Sequence, residues 1–460
     1  MKDASTSTVG RSALGARHSV LGQAPNADPR VPDAQRVICA VPGTPLDFAK
    51  AGIDACVHCG FCLQACPTYL ALADENDSPR GRILLMRAVV EGSLAPDDPS
   101  VRTHIDRCLG CRGCETACPS GVPYGHLLEA TRATIAGKHP LVARLVLWVF
   151  RKEWALRPAL AAAKLLRATR LPAVLGRMPG KIGFAMAMLD STRPAVQRET
   201  YAPASAGTRG SVAVLLGCVM EGLFDETNRA TERVLAANDW AITAAPGQRC
   251  CGALHAHAGD LDAARELARV NIDAFERSGA ETIAVNAAGC GAMMKEYAQL
   301  LADDPVYAER AARVSARVRD VSELLAVAGP ARGGSLPLTV TYDAPCHLLH
   351  AQRVVAPPLA VLKSIPGLTM VPLVESDQCC GAAGIYNLVE PEVSGAVLEP
   401  KLAHIARTGA SLVATGNPGC LMQIGAGLAR TRSAVRAVHP VDLLDASYAA
   451  RERDGTAEAR

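Results

Sequence analysis

The sequence has few aromatic residues and none of the patterns that indicate binding to nucleic acid or a span through a membrane. Phe, Trp and Tyr make up 4% of the 460 residues, so the cores must be built from aliphatic side chains and alanine. The formal net charge is only +3, and no basic run is interleaved with aromatic residues, so no nucleic-acid partner is predicted. The apolar run "LVLWVF" at 145–150 is far too short to cross a bilayer.

Motifs for nucleotide cofactors are also missing. The sequence contains neither a phosphate-cradling glycine loop nor a dinucleotide fingerprint, so we expect no flavin or nicotinamide site on this chain. Residues 1–36 have no apolar signal core. Residues 1–24 resemble an organelle transit peptide only weakly, and a disordered polar arm is the preferred interpretation. The chain is therefore predicted to be cytoplasmic, where thiols stay reduced and serve as metal ligands.

What the sequence does have is cysteine, at 17 positions. Two runs, "ACVHCGFCLQACPTYL" and "RCLGCRGCETACPSGV", share the spacing C-x2-C-x2-C-x3-C-P. In two-cluster ferredoxins the fourth cysteine of such a run binds the other cluster. We therefore predict one [4Fe–4S] cluster on Cys56, Cys59, Cys62 and Cys118, and a second on Cys108, Cys111, Cys114 and Cys66. Zinc sites use pairs of C-x2-C separated by a longer loop, so zinc fits these runs poorly.

Eight further cysteines occur in an internal repeat. Cys218, Cys250, Cys251 and Cys290 recur in the same order, and at a nearly constant offset, as Cys346, Cys379, Cys380 and Cys420. Each copy reads C…CCG…C, and the glycines at 252 and 381 allow a close backbone approach or a positive φ. An iron–sulfur cluster, a redox dithiol and a structural zinc remain open as interpretations of each repeat site.

The predicted fold class is α+β multidomain: a helical two-cluster ferredoxin domain followed by two repeated α/β cysteine-rich domains. Short β-branched runs such as "VAVLL", "TIAVN", "LTVTY" and "SLVAT" predict buried parallel strands, with the cysteines at their carboxyl ends. The predicted divisions are a mostly disordered arm (1–50), the ferredoxin domain (51–140), a helical linker (141–205), repeat 1 (206–330), repeat 2 (331–448) and a tail (449–460).

Two other stretches carry expectations. Residues 80–92 predict a helix with Ser78 as N-cap and Gly92 as its stop. The apolar, arginine-containing helices around 141–175 are either a docking surface for a partner or ordinary core packing. Four arginines near the cysteine runs either offset the negative charge of a thiolate-bound cluster or are simply solvated: Arg80, Arg82, Arg107 and Arg112.

The two cysteine runs, "SPRGRI" between them and the two C…CCG…C copies together resemble the iron–sulfur subunit of glycolate oxidase (glycolate dehydrogenase) over residues 51–448. The resemblance implies an oxidoreductase subunit that relays electrons from FAD-containing subunits, which oxidise glycolate to glyoxylate, toward a quinone or another acceptor. It also implies a cytoplasmic location, with peripheral contact to the inner face of the cytoplasmic membrane as a further expectation.

Alternatives to this function remain open. Related subunits serve lactate and glycerol-3-phosphate dehydrogenases and heterodisulfide reductase, and a non-catalytic iron–sulfur sensor or scaffold is an alternative of another class. In the heterodisulfide reductase relatives each repeat ends C-x-x-C, whereas Met293 and Gln423 stand here at the last position. This departure puts the five-cysteine non-cubane cluster of those relatives in doubt.

Overall fold

The computed structural model describes residues 41–135, 139–196, 201, 205 and 207–458, with side chains omitted at 328 and from 454 on. Residues 1–40, which hold Cys39 and most of the predicted arm, lie outside the described residues. All described residues belong to one structural unit.

The amino-terminal part is helical, as predicted. Its helices are α1 (Pro45–Phe48), α2 (Lys50–Asp54), α3 (Pro67–Leu72), α4 (Pro79–Val90), α5 (Pro99–Asp106), α6 (Gly113–Thr116) and α7 (Tyr124–Thr134), with a 3-10 turn at Glu75–Asp77. The predicted helix after Ser78 is confirmed as α4: the Ser78 hydroxyl accepts from the Gly81 amide at 3.0 Å, and Gly92 has a left-handed φ. The core between these helices is aliphatic, as at Met86 and Leu127.

One detail of this part differs from the sequence interpretation. Residues 41–50 are not irregular: α1 packs on α7, and Leu46 is fully buried because it completes the aliphatic core. The ordered domain therefore begins before residue 50. Pro67, after the last cysteine of the first run, begins α3 at its first turn, where the missing amide hydrogen costs no helical hydrogen bond.

The predicted linker is a layer of four helices. They are α8 (Leu141–Arg151), α9 (Glu153–Ala168), α10 (Leu171–Leu175) and α11 (Gly180–Ser191). Pro158 lies inside α9 without breaking it, because the missing hydrogen bond falls on the exposed side of the helix. α9 packs on repeat 1 and α11 on repeat 2, so the segment covers both repeats rather than simply connecting domains. We call these helices the cover layer.

Repeat 1 alternates strands and helices. Its elements are β1 (Ser211–Val214), α12 (Val219–Leu223), α13 (Asp225–Ala237), β2 (Ala241–Ile242), α14 (Ala253–His257), α15 (Leu261–Ser278), β3 (Thr282–Val285), α16 (Ala288–Lys295), α17 (Tyr297–Leu300), α18 (Ala308–Arg317), β4 (Val318–Asp320) and α19 (Val321–Ala328).

Repeat 2 has the same plan. Its elements are β5 (Thr339–Tyr342), a π-helical turn (His347–Ala351), α20 (Ala356–Lys363), β6 (Thr369–Val371), α21 (Tyr386–Val389), α22 (Pro391–Arg407), β7 (Leu412–Ala414), α23 (Pro418–Arg430), β8 (Arg436–Val438) and α24 (Pro440–Glu458).

Each repeat forms a four-stranded parallel sheet, with strand orders β2-β1-β3-β4 and β6-β5-β7-β8. The four predicted strands are the two central ones of each sheet, β1 with β3 and β5 with β7, and their parallel pairing is confirmed. The edge strands are only two or three residues long, too short for their alternation to be visible in the sequence.

The predicted tail from residue 449 is part of α24 in the described residues. Ala449 and Ala450 are buried because this helix crosses back onto α13 of repeat 1. Arg233 of α13 pairs with Asp445 of α24 at 2.6 Å. The carboxyl end of the described chain therefore joins the two repeats. In the described part of the chain no helix is both long and apolar enough to cross a membrane.

Candidate functional site

The first cysteine run surrounds a cavity together with two cysteines of the second run, Cys114 and Cys118. Cys56, Cys59 and Cys62 line it, and so does Cys118, which comes from the second run. The loop after α2 curls around the cavity, with His58 and Gly60 both at positive φ. Cys59 is exposed, whereas burial raises the pKa of the Cys62 thiol to about 11.

A second cavity lies beside the first one. Its thiols are those of Cys108, Cys111 and Cys114, together with Cys66 from the first run. Cys114 lines both cavities, so the two sites are neighbours. Cys118 thus lines the first cavity and Cys66 the second, so each cavity includes the last cysteine of the other run. The exchange of ligands between two bound clusters stays a prediction.

The arginines near these cavities have different roles. Arg82 is fully buried beside Cys66, with its Nη1 3.9 Å from the Cys66 sulfur and 3.1 Å from the Thr68 hydroxyl. Burial opposes its charge, but neighbouring Cys108, Tyr124, Cys66 and Asp77 together raise the pKa of Arg82. Arg107 instead pairs with Asp77 at 3.0 Å.

The remaining two arginines are partly exposed and paired. Arg80 lines the first cavity and pairs with Glu75 at 2.6 Å. Arg112 lines the second cavity and binds Glu115 and Glu296. Arg82 is thus a buried cation that faces a thiol. Arg80, Arg107 and Arg112 are less buried, and each forms an ion pair with a carboxylate.

The described lining of both cavities suits an anionic group held by thiolates. Neither lining includes a carboxylate, and each includes at least one arginine. The Gly110 amide lies 3.4 Å from the Cys108 sulfur and donates to it. Burial raises the pKa of the thiols of Cys66 and Cys114, so thiolates there need a bound cation or metal to be stable. The four thiols of the second cavity match the ligand set of a [4Fe–4S] cluster, and the first cavity has four thiols besides the shared Cys114.

The repeat 1 thiols also meet in space. Cys218 follows β1, Cys290 lies in α16 after β3, and Cys250 and Cys251 precede α14. The adjacent Cys250 thiol and burial raise the pKa of Cys218, and the thiols of Cys250 and Cys290 together with burial raise the pKa of Cys251. The thiols of Cys218 and Cys251 in turn lower the pKa of Cys250. The set lies at the carboxyl ends of two central strands, as predicted for an open α/β sheet.

The repeat 2 thiols form an equivalent set that is buried throughout: Cys346, Cys379, Cys380 and Cys420. The Cys380 and Cys420 sulfurs are 3.2 Å apart, and the adjacent Cys379 thiol together with burial raises the pKa of Cys346. The Gly381 amide donates to the Cys379 sulfur at 3.4 Å. Gly252 and Gly381 both have positive φ, and their Cβ positions would lie 3.2 Å and 2.7 Å from the carbonyl oxygens of Ala264 and Ser394.

The position that would hold a fifth cysteine is filled differently in the two repeats. Met293 is buried in the core of repeat 1. Gln423 is fully buried and uses both ends of its amide, donating to Ser394 and accepting from Asn387, each at 2.9 Å. Neither side chain adds a ligand to the thiol sets, so four thiols remain in each repeat.

Sequence reasoning missed a buried ion pair beside the repeat 2 thiols. Lys401 of α22 and Asp343 after β5 are 2.9 Å apart, and both side chains are 2% exposed. Burial lowers the pKa of Lys401, but Asp343 and the thiols of Cys380 and Cys379 outweigh this and raise it. A lysine in an apolar helix could have signalled the pair, but its acid lies far away in the sequence, beyond β6 and α20.

Histidines near the repeat thiols join domains. His350 hydrogen-bonds through Nδ1 to the Thr116 hydroxyl at 2.8 Å and through Nε2 to the Asp377 carbonyl at 3.2 Å. His257 hydrogen-bonds to Glu129 at 2.9 Å and stacks on His347. These contacts hold the ferredoxin domain against both repeats.

Comparison with known proteins agrees with this arrangement. Residues 52–122 match the family model of the 4Fe-4S dicluster domain, and residues 212–295 and 340–425 match that of the cysteine-rich domain. Fold and site together define an iron–sulfur electron-transfer protein with two clusters in its first domain.

Relatives narrow this class to a family. The chain is 39% identical to the probable glycolate oxidase iron-sulfur subunit of Bacillus subtilis, covering 85% of this chain and 92% of the relative. It is 35% identical to the glycolate oxidase iron-sulfur subunit of Escherichia coli, covering 81% and 89%. Lactate utilization protein A of Exiguobacterium is 30% identical over 51% of this chain and 97% of its own length. The chain belongs to the family of glycolate oxidase iron–sulfur subunits.

The glycine after the paired cysteines gives a test of the repeat geometry. Gly381→Ala places a Cβ 2.7 Å from the Ser394 carbonyl at a positive φ, so we expect a loss of about 1–3 kcal/mol in the free energy of unfolding. Gly395→Ala is the matched control, since its Cβ meets no atom within 4 Å inside α22. Urea unfolding followed by circular dichroism measures both. Equal effects of the two substitutions would contradict the steric argument.

Proposed function

We propose that this chain carries single electrons from a flavoprotein partner that oxidises glycolate to an acceptor such as a quinone. The observation that carries the proposal is the crossing of Cys66 and Cys118 between two adjacent thiol cavities. A cluster on Cys56, Cys59, Cys62 and Cys118 and another on Cys66, Cys108, Cys111 and Cys114 would be close enough to exchange electrons. Iron–sulfur clusters supply one-electron chemistry, and the protein supplies their position and charge environment.

The two cavities differ in how far they lie from the surface, and this difference suggests the direction of electron transfer. Cys59 is exposed, and Val57 and Phe61 beside it are 67% and 68% exposed. An apolar rim around an exposed ligand suits brief docking of a redox partner, because burying the rim excludes water from the transfer site. We therefore propose that the first cavity faces the partner. The second lies deeper, against repeat 2.

Glycolate is the substrate we propose for the complex, because the two relatives cited that cover most of this chain are named for it. A lactate-oxidising complex is the second candidate, supported by the lactate utilization relative, which matches only about half of this chain. In either case the described linings of the two ferredoxin-type cavities contain no carboxylate that could take a proton from the substrate, so the substrate chemistry is assigned to the flavin of the partner.

We also propose that the chain is cytoplasmic and works at the membrane surface through the cover layer. Residues 141–182 contain nine Lys or Arg and one acid, Glu153. Ten of their large apolar side chains are exposed: Leu141, Val142, Leu145, Trp148, Trp154, Leu165, Leu171, Val174, Met178 and Ile182. Tryptophan, aliphatic and basic side chains on one helical layer suit the interface of an anionic bilayer.

The crossing of the fourth cysteines predicts which cluster a substitution removes. Cys66→Ser is expected to abolish the cluster bound mainly by the second run, because the Cys66 sulfur lies in that cavity. Cys118→Ser is the matched control and should abolish the other cluster. Iron content and electron paramagnetic resonance of the dithionite-reduced, anaerobic protein distinguish the two signals. If each variant lost the cluster of its own run instead, the ligand assignment would be wrong.

If the partner oxidises the substrate and this chain only transfers electrons, activity is expected only in the complex. The isolated chain is expected to reduce no dye with glycolate, whereas the complex with the flavoprotein subunit should do so. Cys59→Ser in the complex should leave flavin bleaching by glycolate unchanged and slow reduction of the final acceptor at least tenfold. Stopped-flow absorbance resolves the two steps. Turnover of glycolate by the isolated chain would refute the relay assignment.

The cover layer predicts binding to vesicles that contain anionic lipid. A Leu145→Glu/Trp148→Glu variant should bind vesicles of phosphatidylcholine with roughly one third phosphatidylglycerol about tenfold more weakly than the parent chain. Val306→Glu/Val327→Glu is the control, because both valines are exposed elsewhere. Flotation of the vesicles measures binding, which should weaken with salt. Equal binding by both variants would count against the cover layer as the lipid surface.

A further inference from the structure

The two repeat sites have different neighbours, although they share one backbone plan. Cys111 of the ferredoxin domain packs into the same cluster as Cys346 and Cys379 of repeat 2. The adjacent Cys379 thiol, together with burial, raises the pKa of the Cys111 thiol. A proposed ligand of the second cavity thus lies beside a thiol of the repeat 2 set.

Further contacts fix this junction on both sides. The Tyr386 hydroxyl donates to the Arg107 carbonyl at 2.8 Å, next to Cys108. His350 bridges Thr116 and the Asp377 carbonyl, and its ring lies 3.6 Å from the Cβ position of Gly113. The contact between the two thiol sets is therefore held by polar anchors around it as well as by apolar packing.

Repeat 1 meets the ferredoxin domain through other groups. Arg132 donates to the His257 carbonyl at 2.7 Å, and His257 pairs with Glu129. Two thiols of repeat 1 face another part of the molecule. Cys218 and Cys250 line a cleft that α9 of the cover layer closes. The neighbouring thiols that raise the pKa of Cys218 and Cys251 belong to their own set.

The two repeats also differ in the charged residues that they bury. The buried positions of α15 and α22 align at the same offset that relates Cys290 to Cys420, so Lys401 corresponds to Asn271. β1 and β5 align at the offset that relates Cys218 to Cys346, so Asp343 corresponds to Leu215. Repeat 2 therefore buries a lysine and an aspartate where repeat 1 has neutral side chains. A buried ion pair costs desolvation energy and is a weak source of stability, so its presence here favours a functional role.

The position of Lys401 suggests that role. Its ammonium group forms an ion pair with Asp343 at 2.9 Å and donates to the carbonyls of Glu375 and Ser376 at 2.8 and 3.2 Å, just before the Cys379–Cys380 pair. A cation held in a low-dielectric interior stabilises whichever state of a nearby redox group carries more negative charge. For an iron–sulfur centre this is the reduced state, so the ammonium group of Lys401 raises the reduction potential, while the carboxylate of Asp343 beside it offsets part of that effect.

We propose that the repeat 2 thiols hold a third iron–sulfur centre in electronic contact with the second ferredoxin-type site, that Lys401 raises its potential, and that the repeat 1 thiols lie off this path. The proposal rests on the relay function above and names the site at which the relay continues. One electron is lost by the second ferredoxin-type site for each one gained in repeat 2, and no bond or proton changes place.

A matched pair of cysteine variants tests the path in the full-length chain, reconstituted anaerobically. Cys420→Ser should remove one redox-active signal and the spin–spin broadening that it causes in the second ferredoxin-type signal. Cys290→Ser, at the equivalent position of repeat 1, should leave that broadening intact. Electron paramagnetic resonance and iron content provide the readouts. Loss of the broadening in Cys290→Ser but not in Cys420→Ser would overturn the proposal, as would zinc without iron in repeat 2.

A double variant tests the role of Lys401 without leaving Asp343 unpaired. Asp343→Leu/Lys401→Asn gives repeat 2 the neutral pair found in repeat 1. Its third signal should titrate at a lower potential, with at least a tenfold change in the one-electron equilibrium, which is about 59 mV. Lys401→Arg keeps the charge and should retain most of the potential of the parent chain. An unchanged potential in the double variant would overturn the role of Lys401.

The two ferredoxin-type signals serve as an internal control for folding and for the relay itself. If they are absent from the unsubstituted chain, the proposed relay fails. If they are present while no third signal accompanies them, only the inference about repeat 2 fails.

Discussion

The buried guanidinium of Arg82 ties together the segments that surround the second thiol cavity. It donates to the Thr68 hydroxyl beside Cys66, to Asp77 and to the His104 carbonyl at the end of α5. A charge removed from water at this depth is tolerated only when paired and hydrogen-bonded, and Arg82 meets both conditions. Because these contacts fix the segment that carries Cys66, the fourth thiol of one run can stay beside the three thiols of the other.

Three thiol sites lie next to one another, from the surface toward the interior: the first cavity, the second cavity and the repeat 2 set. The first cavity reaches the surface at Cys59, the second shares Cys114 with it, and the repeat 2 set touches Cys111. Burial and hydrogen bonds to sulfur set the potentials of iron–sulfur clusters, so a graded environment along a chain of sites gives each a different potential. The same packing keeps water away from the inner sites, while the outer one stays open to a partner.

Duplication explains why the two repeats share geometry but not chemistry. The backbone demands of the thiol sets are the same, and both copies keep the glycine that lets a helix carbonyl approach the paired cysteines. Side chains behind the set are freer to change, because they need only fill the same volume with their polar groups satisfied. Leu215 and Asn271 do so with neutral groups, whereas Asp343 and Lys401 do so as an ion pair.

The sequence alone determined the features that depend on local spacing. Cysteine spacing predicted two cluster runs and the exchange of their fourth ligands, the recurrence of the C…CCG…C pattern predicted two like domains, and Ser78 and Gly92 predicted the ends of α4. Only the tertiary structure decided which groups meet across long distances. The ordered start at Leu46, the helix through the predicted tail, the pairing of Lys401 with Asp343 and the contact of Cys111 with Cys379 all depend on packing between segments far apart in the chain. Local conformation follows from neighbouring residues. Burial and ion pairing depend instead on which segments, far apart in the sequence, pack together and exclude water.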